Sequence, residues 1–289
     1  MNKSLLKYLA ALLLFGSNGI VAGQISLSSQ EIVLFRTMIG SALLIVLYLI
    51  INKRFTFYRH KRSAIFLVLS GFAMGVSWLF LFEAYRQVGV SVASLGYYCG
   101  PIILMALSPV LFNEKLTKRM LFCFLAVFVG IVLVDGNAFY KSHNLGGIAF
   151  ALLSAVMYAV MLCLNKKVEG ISGMENATVQ LTAAFVSVFV FVAIKQGLHF
   201  DIQASDIAPL LALGLLNTGI GCFLYFSSIG GIKVQTVAIL GYLEPLSAIF
   251  FSFIFLGEQL LIGQIIGAIL IISGALCAEL QPKRLIVKQ

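Results

Sequence analysis

Long apolar stretches alternate with short polar turns along the whole chain, and the stretches are of membrane-crossing length. A helix of about 20 apolar residues spans the hydrocarbon core of a bilayer. Breaks at charge clusters and at Gly, Asn and Ser runs predict ten helices: Leu5–Gly23, Gln30–Ile51, Ser63–Arg86, Ser91–Phe112, Lys118–Gly136, Leu145–Asn165, Glu175–Lys195, Ile207–Gly230, Val234–Leu256 and Leu260–Leu280. The run Ser63–Phe112 divides where Arg86, Gln87 and Gly89 supply a turn. Lys3 and Lys7 ahead of YLAALLLFGSNGIVAG would also suit a signal peptide cut after Ala22 or Gly23. The internal repeat, however, requires this segment as its first helix. The predicted fold is an all-α membrane protein.

Composition agrees with that pattern. Of 289 residues, 61% are hydrophobic and 11% charged, against about 25% charged in a soluble domain. The net charge of +9 would suit nucleic acid or an acidic partner, but the basic residues lie in short loops, where they act as orientation signals. With ten helices both termini fall on one side. That side collects sixteen basic residues, among them Lys53, Arg54, Arg59, Lys61 and Arg62 in one loop, whereas the other side has Arg86, Lys141 and Lys195. Arg36 lies inside a helix. The bias predicts cytoplasmic termini.

Displacing the chain against itself by 144 residues brings Pro101 onto Pro245, Tyr98 onto Tyr242, Glu114 onto Glu258, Gly130 onto Gly274, Gly75 onto Gly219 and Phe82 onto Phe226. Two five-helix halves follow, residues 1–140 and 145–289. Five is odd, so the halves are inserted in opposite directions. Accordingly, the Glu114 loop carries basic residues and the Glu258 loop none. Inverted repeats are a common secondary-transporter architecture, with the site near the midplane where the halves meet.

These residues resemble the EamA-type branch of the drug/metabolite transporter superfamily. The matching stretches are P101IILMALSPVLFNE114 with Gly130, and E244PLSAIFFSFIFLGE258 with Gly267 and Gly274. Arg36, early in the second helix, matches a position often basic in that family. The resemblance covers nearly the whole chain. It implies helices 1–4 and 6–9 around a central cavity, helices 5 and 10 at the periphery, and cofactor-free export of amino acids, other metabolites, cations or nucleotide sugars. One departure is Gly100, which stands where the second half has Glu244.

Glu244 is the main chemical candidate. A lone acid at the centre of a spanning helix costs about 2.5–3.5 kcal/mol, and such residues usually face a bundle interior or a water-filled cavity. Pro245 beside it removes a backbone donor at the same depth. A cavity lined by this carboxylate with Trp78, Tyr97, Tyr98, Tyr158 and Tyr242 suits an organic cation through charge and cation–π attraction. With Arg36 near, it also suits an amino-acid zwitterion. Asn18 and Asn217 complete the candidate substrate site. Each has a structural alternative: packing for the aromatics, interhelical hydrogen bonds for the asparagines, and for Arg36 snorkelling or pairing with Glu31 or Glu83. Glu244 would also be the proton-coupling residue, exchanging a proton for substrate as the halves rock about the site.

Other classes have less support. The five cysteines form no CxxC pair and the three histidines lie in different loops, so no metal, redox or cofactor framework is expected. HExxH and GxSxG are absent, which argues against an enzyme. A proton-independent facilitator, a channel and a membrane scaffold stay open. The expected partners are a small-molecule substrate, protons and the lipid bilayer. Gly263, Gly267 and Gly274 in the tenth helix would permit a homodimer.

Overall fold

The computed structural model describes residues 3–52, 54–88, 90–113, 116–141, 144–171, 173–197, 199–256 and 262–279. All regular structure among them is helical. In chain order the elements are α1 (Lys3–Gly16), α2 (Asn18–Ala22), α3 (Ser29–Asn52), α4 (Lys61–Val88), α5 (Val90–Tyr97), α6 (Gly100–Phe112) and α7 (Lys118–Lys141). There follow α8 (Leu145–Asn165), α9 (Gly173–Lys195), α10 (Ala204–Ala212), α11 (Gly221–Ile229), α12 (Val234–Leu240), α13 (Leu243–Leu256) and α14 (Ile262–Glu279). A 3-10 turn occupies Phe57–Arg59, and a π-helical segment, Leu213–Ile220, joins α10 to α11. Glu114, Glu258 and the basic residues Lys283, Arg284 and Lys288 lie outside the described residues.

Among the described residues eight helical runs are long and apolar enough to cross a membrane, so this is a multi-pass membrane protein. Several runs are interrupted where the sequence pattern showed only continuous hydrophobicity. Hydropathy registers the depth available to a helix but does not register a break inside it. The predicted first helix bends at Ser17, the fourth breaks at Tyr98–Cys99 and the ninth at Gly241–Tyr242. Residues 98 and 242 are repeat partners.

Polar groups that cannot reach water bond between helices. Ser77 and Ser154 exchange bonds across α4 and α8: each hydroxyl donates to the other's carbonyl, at 2.9 and 2.8 Å. α7 and α14 pack together through small residues. A Cβ at Gly130 would lie 2.7 Å from the Gly267 carbonyl oxygen, and one at Gly274 would lie 2.8 Å from that of Cys123. Gly267 and Gly274, two of the three glycines that would permit a dimer, thus pack against α7 of the same chain.

Two carboxylates clasp loops at opposite ends of α3. Ahead of α3, Ser26 donates through its N–H and hydroxyl to Asp206, at 2.8 and 2.7 Å. Beyond α3, Glu175 accepts from the Thr56 N–H and hydroxyl and from the Phe57 N–H. Each clasp joins a loop of the first half to a helix start in the second.

Candidate functional site

The break in the ninth predicted helix places Glu244. α12 ends at Leu240, Gly241 and Tyr242 turn, and α13 opens at Leu243, which puts Glu244 in its first turn. A helix start carries the positive end of the helix dipole, which favours an acid there. Pro245 suits this position because its missing N–H would have no helical partner anyway. One turn on, Ser247 is bonded to the Glu244 carbonyl at 2.7 Å and lies 3.2 Å from the Leu12 carbonyl, which ties α13 to α1.

The Glu244 residue is half-buried. Among the described residues its carboxylate has no hydrogen bond or ion pair. It lies within electrostatic reach of Arg36 on α3, Tyr8 on α1, Tyr97 on α5 and Tyr158 on α8. Of these helices, α1 packs directly against α13.

Arg36 faces it from α3 and is buried, 4% exposed. Its Nε donates to Thr218 Oγ1 at 2.9 Å, and its guanidinium carbon lies 4.8 Å from the centre of the Trp78 ring. It pairs with neither Glu31 nor Glu83: Glu83 takes Arg86 and Gln87, and Glu31 accepts from the Ser28 N–H. The π segment explains how Thr218 reaches it. The Thr218 hydroxyl donates to the Leu213 carbonyl five residues back, at 2.8 Å, across the widened turn. α3 can lie close because Gly40, one turn from Arg36, faces backbone: a Cβ there would lie 3.1 Å from both Gly214 O and Gly219 N.

Several tyrosines form a chain of contacts. Tyr8 and Tyr225 have ring centres 5.3 Å apart, and Tyr225 Oη lies 3.2 Å from Tyr158 Oη. Tyr158 meets Tyr97 edge-on at 5.3 Å, and Tyr97 meets Tyr98 at 5.8 Å. Tyr242, fully buried, donates to the Tyr98 carbonyl at 2.7 Å and so joins the two breaks. Tyr8 donates to the Val237 carbonyl at 2.8 Å.

Not every candidate converges in the same way. Arg36, Tyr97 and Tyr158 lie within electrostatic reach of Glu244, whereas one face of Trp78 is covered by the Arg36 guanidinium. Asn217 is engaged between helices, donating to the Leu14 carbonyl and the Ser17 hydroxyl at 2.7 Å each. Asn18 Oδ1 is buried with no partner among the described residues. Sequence reasoning missed Tyr8, Tyr225 and Thr218. Tyr8 lies near a helix end, where a tyrosine reads as an interface residue. Tyr225 and Thr218 stand in an apolar run with no charge to mark them. A hydroxyl in the chain's apolar runs was the only available signal, and it is too common to single them out.

Residues 2–135 and again 145–279 match the EamA-like transporter family. An uncharacterized transporter of Bacillus subtilis (strain 168), YxxF, is 25% identical over 94% of this chain and 88% of its own length. Protein PecM of Dickeya dadantii (strain 3937) is 28% identical over 73% of this chain and 72% of its own. A solved crystal structure covers 96% of this chain and 99% of its own, with a TM-score of 0.80 at 19% identity. The polypeptide therefore belongs to the EamA-like transporter family and is a transporter rather than an enzyme.

Proposed function

We propose that the protein is a secondary active exporter working by alternating access, with ten crossing helices in two inverted halves, residues 1–140 and 145–289, and both termini cytoplasmic. The substrate is a small metabolite carrying a positive group, either an organic cation or an amino acid. The observation that carries this reading is the arrangement of Glu244 and Arg36. They are opposite charges within electrostatic reach of one another, neither with an ion-pair partner among the described residues, and Glu244 is within the same reach of Tyr8, Tyr97 and Tyr158. A substrate ammonium would take Glu244. A substrate carboxylate, where present, would take the Arg36 nitrogens not bonded to Thr218. Tyr97 and Tyr158 would supply ring faces for cation–π contact. In the substrate-free state a proton on Glu244 would replace the ammonium, giving antiport.

The breaks at residues 98–99 and 241–242 support the rocking element of the scheme, because interrupted helices near the repeat interface are where such carriers place their sites. The clasps at Ser26–Asp206 and Thr56–Glu175 join the halves at the two ends of α3, so rocking would strain them in turn. The test is a thermal-shift screen of the purified protein against amino acids, quaternary amines, polyamines and nucleosides. A shift from amines or amino acids that disappears in Glu244→Gln supports the reading, and an equal shift in both proteins refutes it.

One observation favours a second reading. Arg36 lies within electrostatic reach of Glu244, and a permanent positive charge beside the acid suits a proton-independent facilitator. Accumulation driven by a pH gradient separates the two.

A further inference from the structure

On the outer surface of the bundle, away from Glu244, α3 and α4 stand apart over α9 and leave a cleft of about 1030 Å3. None of the predicted site residues lines it. We infer that this cleft is a binding site for an anionic phospholipid, its acyl chains lying along α9 and its phosphate held by the basic turn that carries Arg54 and Lys61.

The length and chemistry of the cleft fit acyl chains. Its floor on α9 runs from Thr178 to Ile194. At about 1.5 Å per residue that is roughly 24 Å, most of a hydrocarbon core about 30 Å thick. The hydroxyls along this floor are turned onto their own helix: Thr178 donates to the Met174 carbonyl, Thr182 to that of Thr178 and Ser187 to that of Ala184, each at 2.7 Å. What remains to face the cleft is apolar, and Val186 and Phe72 are 51% and 53% exposed.

The two ends differ in charge, and this selects the headgroup. One end has Lys195 with Glu83, the latter bonded to Arg86, so an acid stands among the bases there and leaves a net charge of one. The other end is an aromatic ledge. Phe55 stacks on Tyr48 at 4.5 Å and meets Phe57 edge-on at 5.9 Å, and the Glu175 clasp on Thr56 and Phe57 fixes the ledge in place. Exposed Arg54, Arg59, Lys61 and Arg62 flank it. The described acids nearby are Glu169 and Glu175, and Glu175 is turned inward with three donors already on its carboxylate. Lys61 continues the cleft-facing stripe of α4, with Ile65, Val68, Phe72, Val76 and Leu79 following at steps of three or four residues. A phosphate above the ledge would therefore meet basic side chains at the level where the acyl chains leave the cleft.

Native mass spectrometry of the full chain in non-ionic detergent tests this, with phosphatidylglycerol or phosphatidylcholine of identical chains added in turn. The wild type is expected to retain phosphatidylglycerol preferentially. The double variant Arg54→Gln/Lys61→Gln is expected to lose about five-fold of that preference per charge removed. Val186→Trp, which fills the floor at an exposed position, is expected to lower retention of both lipids. Equal retention of the two lipids by the wild type would overturn the inference, as would a preference unmoved by the double variant or full retention in Val186→Trp. Disulfide-linked dimers of Val186→Cys chains in the membrane would place a second copy in the cleft and would overturn it as well.

Discussion

The two helix breaks are built from the same parts and differ at one position. In the first half the chain turns at Tyr98–Cys99 and α6 opens with Gly100 and Pro101; in the second it turns at Gly241–Tyr242 and α13 opens with Leu243, Glu244 and Pro245. Tyr242 bonds to the Tyr98 carbonyl, so the breaks touch. At Gly100 the space that a side chain would need is filled, since a Cβ there would lie 2.7 Å from the Tyr158 ring and 3.1 Å from the Ala155 carbonyl. At the equivalent point in the second half stands a half-buried carboxylate with no hydrogen bond or ion pair among the described residues. The comparison teaches that duplication supplied a scaffold with two helix openings and that only one of them carries charge. The tyrosine that packs onto the silent opening belongs to the set surrounding the charged one.

The largest expected effect comes from erasing that difference. Glu244→Gln removes the acid at nearly constant shape. Losing one partner of a buried charge pair costs about 2–5 kcal/mol, so the apparent affinity for an amine-bearing substrate should fall by roughly 30-fold or more, read as loss of the ligand-induced thermal shift. Next come the clasps that hold the halves. Hydrogen bonds to charged groups contribute about 1.5–3 kcal/mol, and Glu175→Gln and Asp206→Asn should each lower unfolding stability by about that amount. Each variant weakens one end of α3, and different effects on transport rate from the two would show which face limits the cycle. Arg36→Lys keeps the charge but loses the planar fork that both stacks on Trp78 and bonds to Thr218. Substrates with a carboxylate should bind about five-fold more weakly, by titration, and simple amines about as before. The smallest effect is at the silent opening. Gly100→Ala pushes on the Tyr158 ring and disturbs its contact with Tyr225, at an expected cost of about 1 kcal/mol in thermal stability.

Much of the framework was legible in the sequence because bilayer thickness fixes helix length and duplicated residues mark each other. Pro101 and Pro245 pointed to equivalent places, and both fall one or two residues into a re-started helix. Glu244 was legible because a single charge in a 23-residue apolar run has no bland solvent explanation. The partners were harder to see. Thr218 reaches Arg36 only through the π segment, whose extra residue per turn has no signature in hydropathy. Tyr8 and Tyr225 converge from helices 217 positions apart in the chain, and nothing in either local pattern announces the meeting. Asn217 was visible as a polar residue at mid-helix, but whether it faces the cavity or a neighbouring helix depends on packing, and the structure turns it to Leu14 and Ser17.

The most direct test of the central proposal places the wild type, Glu244→Gln and Glu244→Asp in proteoliposomes. An imposed pH gradient then drives uptake of the amine or amino acid that scores highest in the thermal-shift screen. The account predicts gradient-driven accumulation by the wild type, a weaker response from Glu244→Asp, and none from Glu244→Gln. Gradient-driven accumulation by Glu244→Gln at the wild-type rate would contradict it.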